Sequence, residues 1–101
     1  MPKHPLEVIG ANDPELLDEM CRARDLALTD GALSWKHKLL IALALDAAHG
    51  AVAGVRSLAL QAMQHGATKA EIMEALRVVY HICGAGSIYT AAAALQEIWP
   101  S

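Results

Sequence analysis

The chain contains no phenylalanine, and aromatic residues make up only 4% of it. Alanine and leucine must therefore make up most of the apolar content. Its 101 residues hold two cysteines, Cys21 and Cys83, far apart and in no spaced motif. That fits free thiols in a reducing compartment, and the sequence alone does not fix whether the two meet in space. Basic runs are scarce as well. The longest is Lys36-His37-Lys38, and the formal net charge is -3. A phosphate-tracking surface, and with it a nucleic-acid partner, is not expected. The most apolar run, Leu39 to Leu45, is bounded by Lys38 and Asp46. It falls far short of the roughly 20 residues that span a bilayer. The opening Met1-Pro2-Lys3-His4-Pro5 lacks the apolar region of a signal peptide. A cytoplasmic chain without a membrane partner is the expectation.

What is present is alanine and leucine. The apolar fraction is 54%, above the usual 45–50% or so. Alanine has the best helix propensity and lets helices approach closely. So many small apolar residues on a short chain predict a second buried surface, most simply an interface between copies.

The pattern predicts an all-α fold of about five helices. Residues 1–12 carry two prolines, a glycine and an asparagine and read as an N-terminal arm. A helical domain follows over 13–99. Asp13-Pro14-Glu15 is a helix start, with Asp as N-cap and Pro at the first helical position. This helix runs to about Ala27. Ser34 caps the next. Trp35 to Ala48 is apolar on nearly every face, which marks a buried central helix. At His49-Gly50 the pattern either kinks or ends, and a helix continues over about 51–64. His65-Gly66 is a helix stop. Thr68 and Glu71 form a capping box that opens a helix reaching Cys83. Gly84-Ala85-Gly86 interrupts, and the last helix runs from Ser87 to Trp99 with Ala91 to Ala94 as a close-packing strip. No segment alternates as a strand does.

The order of these signals is specific. An acidic-capped helix precedes Lys-His-Lys-Leu-Leu-Ile-Ala-Leu-Ala (36–44). Later comes Gly-Ala-Thr-Lys-Ala-Glu-Ile-Met-Glu-Ala-Leu (66–76), and Cys83-Gly84-Ala85-Gly86 precedes the last helix. The sequence resembles the carboxymuconolactone decarboxylase / alkylhydroperoxidase D-like family over about residues 13–98. The resemblance implies an alkylhydroperoxidase D-like helical bundle that assembles as a trimer or hexamer, without a cofactor. The run at 66–76 is mainly a structural signature, so it speaks for fold more than activity.

The family's peroxidase branch carries Cys-x-x-Cys-x-x-x-His just before that run. Counting back from Gly66 puts these positions at Ala51, Gly54 and Leu58. The glutamate and histidine of the decarboxylase branch would fall on Gly54 and Leu58. The glutamate that precedes Leu-Ile-Ala-Leu-Ala would fall on Leu39. None matches. Disulfide chemistry needs a thiolate and a resolving thiol within bonding distance, so the resemblance does not carry that mechanism here.

Other groups must then supply any chemistry. His49 is the leading candidate acid/base, with Asp46 to orient it and Arg56 to anchor a substrate carboxylate. All three share one face if the helix continues through Gly50. The plain alternative is that His49 caps the central helix while Asp46 and Arg56 form an ordinary ion pair. His81 and Cys83 lie near the glycine-rich break, flanked by Tyr80 and Tyr89, where a ligand can approach backbone. His81 and Tyr89 are the candidate substrate contacts there; the alternative is a tight helix crossing. His65 is best placed to cap its helix, and His37 lies in an exposed first turn. Trp35 and Trp99 read as packing or interface residues. No histidine or cysteine pair has metal-ligand spacing, so no metal is expected.

Three functions follow. The first is a decarboxylase- or lactone-type lyase acting on a small carboxylated lactone or keto acid. The second is a scaffold that has lost catalysis and serves binding or assembly. The third, ranked last on chemistry, is a thiol peroxidase using Cys21 or Cys83.

Overall fold

The computed structural model describes residues 4–100. Six helices are present: α1 (Glu7–Asn12), α2 (Pro14–Leu28), α3 (Trp35–Ala48), α4 (Val52–Gln64), α5 (Lys69–Cys83) and α6 (Ala85–Leu95). Among the described residues there is no strand.

Local chemistry sets the boundaries. The Asp13 carboxylate accepts from Leu16 N at 3.1 Å and opens α2 behind Pro14. Ser34 does the same for α3, accepting from His37 N at 3.2 Å. At α5 the box is reciprocal. Glu71 N donates to Thr68 Oγ1 at 3.1 Å, and Thr68 N donates to Glu71 Oε1 at 2.9 Å. Gly50 and Gly84 have φ of 78° and 83°. Both values lie in the left-handed region that glycine enters without strain, and they end α3 and α5.

The central helix is α3, which packs against α2, α4, α5 and α6. Leu39, Leu43 and Ala47, one helical turn apart, are buried. Leu43 and Ala47 join Val55 and Ala59 of α4, Ile72, Leu76 and Val79 of α5, and Ala91 and Ala94 of α6 in the main core cluster, while Leu39 packs with Ala62 and Ala67 in a second, smaller one. Lys36 Nζ binds Glu71 Oε2 at 2.9 Å and ties the start of α3 to the start of α5.

Three expectations need correction. Residues 7–12, read as part of an arm, form α1, and Leu17 of α2 lies close against Gly10. The last helix begins at Ala85 and ends at Leu95. Beyond it the chain turns, with Trp99 N donating to Leu95 O at 2.8 Å. The central helix is not covered all round: Ile41 and Leu45 are exposed. A helix of a single chain needs one face in that chain's core, and here a second apolar face is left over.

Candidate functional site

The two halves of the expected site lie at different places. The first is the α3–α4 junction. The helix does not continue through Gly50: α3 stops at Ala48 and α4 begins at Val52. The single helical face that would align Asp46, His49 and Arg56 therefore does not exist. His49 is the exposed residue after α3, its N–H donating to Leu45 O at 3.0 Å. Arg56 is half-buried and ion-paired to Glu97, in the turn after α6. No hydrogen bond or ion pair of the described residues joins any two of the three.

Asp46 is half-buried and reaches across to α4. A β-carbon built on Gly54 would overlap its Oδ2 and lie 2.9 Å from its Cγ. The carboxylate thus fills the space where a side chain at position 54 would stand. Leu58, one turn further on, packs against both core clusters. Leu39 is fully buried. Of the positions at which the resemblance expects chemistry, Leu39 and Leu58 are packed apolar side chains, and at Gly54 a carboxylate enters from the neighbouring helix.

The second place is the face between α5 and α6. Met73, Leu76, Arg77 and Tyr80 recur at helical spacing along α5. Opposite them stand Ala85, Ile88 and Tyr89 at the start of α6. Together they line an open cleft of about 480 Å³. Tyr89 is thus in the cleft. His81 is not among the residues that line it; it is exposed in the last turn of α5, where a histidine complements the helix dipole. Sequence reasoning missed Arg77. A lone arginine on an amphipathic helix reads as part of the solvated face. The signal was the stripe 73, 76, 77, 80 facing 85, 88, 89.

Elsewhere, Glu71 is the group whose titration the structure shifts. The hydrogen bond from Lys36 and the backbone bond from Thr68 hold its carboxyl below the ordinary value. His65 stacks on Trp35 with ring centroids 4.3 Å apart. Cys21 and Cys83 are free thiols, the first half-buried and the second exposed. Among the described residues no three His, Cys, Asp or Glu side chains gather as a metal site. No helix there is long and apolar enough to cross a membrane.

The carboxymuconolactone decarboxylase family model matches residues 14–97, from the start of α2 to the turn beyond α6. No curated protein matches. Among solved structures, the chain is similar to an apo carboxymuconolactone decarboxylase family protein from Legionella pneumophila. The two are 31% identical with a TM-score of 0.85, over 90% of this chain and 81% of that one. A match across nearly all of the helical region, with the same backbone arrangement, fixes the lineage: this chain belongs to the carboxymuconolactone decarboxylase family.

Proposed function

We propose that this chain is a non-catalytic member of its family, a binding and assembly protein. The observation that carries this reading is the filled space at Gly54. A reacting molecule at that position would meet the Asp46 carboxylate and the Leu58 side chain instead of an open pocket. His49 is exposed and Arg56 is already bound to Glu97, so neither is held in readiness for a substrate. The assembly is of copies of this chain, a trimer or hexamer. It is supported by the apolar residues that a single chain leaves in water, among them Ile41, Leu45, Val78 and Ile82 on α3 and α5.

The test is a turnover assay on the purified protein. Carboxylated lactones, keto acids and organic hydroperoxides are followed by mass spectrometry. The expected result is no conversion above the buffer rate. Conversion that disappears in Asp46→Asn would overturn the reading and hand the site to a second one. That second reading is a lyase acting on a small carboxylated lactone or keto acid by acid/base chemistry. It is favoured by the placement of Asp46, because the resemblance puts an acidic side chain at position 54 and a carboxylate stands there from α3. In it His49, at the same junction, would take the second proton-transfer role. Conversion of hydroperoxide lost on replacing Cys21 and Cys83 would point to thiol chemistry instead.

A further inference from the structure

We propose that the cleft between α5 and α6 is a binding site for a small apolar monocarboxylate, with Arg77 as the anion partner. Its volume of about 480 Å³ lies within the roughly 300–1,000 Å³ of small-molecule sites. The walls are Met73, Leu76 and Ile88, which suit an aliphatic or aromatic body. Tyr80 and Tyr89 stand at the exposed rim, and Tyr89 is 79% exposed. Tyrosine at such a place offers a flat apolar face and a hydroxyl.

The charge selects the head group. Among the described residues no carboxylate lines the cleft, and Arg77 is its only cation. The other arginines are all paired: Arg22 with Glu19, Arg24 with Asp25, and Arg56 with Glu97. Among the described residues Arg77 alone of the four arginines has no ion pair. A guanidinium beside an apolar cleft matches a carboxylate in charge and in its fork of donors. A single cation sets the ligand at one negative charge. An uncharged molecule of the same shape leaves this group unanswered, and a cationic one meets repulsion.

The inference goes beyond the reading of the chain as a binding protein and stands on the lining of the cleft itself. Conversion of substrate in the turnover assay would end that reading and leave this site standing; failure here ends this inference alone. The experiment is a titration of the full ¹⁵N-labelled chain with 4-phenylbutyrate, beside its uncharged amide, followed by NMR. Shifts are expected at the amides of Met73 to Tyr80 and of Ala85 to Tyr89. The uncharged amide should bind roughly tenfold more weakly, the order expected on losing a hydrogen bond between charged groups. Arg77→Gln, at an exposed position, should weaken the acid by a similar factor and leave the uncharged amide unchanged. Ala85→Leu, which fills the cleft and keeps Arg77, should remove the shifts for both. Equal binding of acid and amide, or shifts at other residues, would overturn the proposal. So would shifts of these same residues on simple dilution, because a second copy of the chain would then be what covers the cleft.

Discussion

At the scale of single residues, Asp46 and Gly54 form a pair that the sequence conceals. They lie eight positions apart, on two helices, and nothing in their spacing announces contact. A glycine inside a helix costs about 1 kcal/mol relative to alanine, so Gly54→Ala should stabilise an unconstrained helix. Here the new β-carbon would overlap Asp46 Oδ2, and a half-buried carboxylate on a short side chain has little room to retreat. Gly54→Ala should therefore lower the melting temperature of the natural chain. In an Asp46→Ala background the obstructing atoms are gone, and the same substitution should raise it. The double-mutant cycle should show a coupling of about 1 kcal/mol. Equal effects of Gly54→Ala in both backgrounds would show that the carboxylate does not occupy this space.

At the scale of elements, most helix boundaries were legible because they are written in short-range chemistry. Asp13-Pro14, Ser34 and the Thr68–Glu71 box each satisfy backbone N–H groups within three residues. The stops at Gly50, Gly66 and Gly84 are positions of positive φ. What escaped lacked such marks. α1 is six residues long with a glycine inside it, and it is held by packing on α2 rather than by propensity. The site was legible only in pieces. Tyr89 was placed at the glycine-rich break, but Arg77 became a candidate only once α6 was seen folded back along α5. The trio at 46, 49 and 56 depended on one undetermined choice, whether the helix survives Gly50. Glu71 serves two elements at once, since it caps α5 and holds Lys36 of α3. Its folded-state pKa is depressed from 4.5, so its contribution is present above the unfolded value and is lost as pH falls through the folded one. Glu71→Gln retains the capping acceptor but not the charge. The melting temperature of the natural chain should exceed that of Glu71→Gln at neutral pH, and the gap should close in acid below the ordinary carboxylate range. A gap that stays constant from neutral pH into acid would mean that the charge on Glu71 contributes nothing.

At the scale of the whole molecule, one copy of the chain leaves many large apolar side chains in water. Val78 and Ile82 on α5 are 65% and 74% exposed. Beside Val78, Leu33, Leu40, Ile41 and Ala44 line a second groove of about 330 Å³ against α3. α2 runs fifteen residues without one buried side chain. The alanine-rich core explains part of this. Small residues let α3, α4 and α6 come close, so their larger side chains are left to point outward. A stable interface takes about 800 Å² from each partner, and apolar area removed from water is worth about 25 cal/mol per Å². The outer faces of α3 and α5 are the apolar surface on this chain best suited to supply it. Light scattering on the natural chain should therefore give a mass above that of one copy, three or six times it for the trimer or hexamer proposed above. Val78→Asp with Ile82→Asp should reduce it to a single copy, because burying two carboxylates in an apolar interface costs more than the interface returns. Both positions already face water in one chain, so helical content by circular dichroism should be retained. A natural chain that is monomeric, or a doubly substituted one that still assembles, would place the interface elsewhere. In the second case α2, with its exposed Leu16, Met20 and Leu26, is the next surface to substitute.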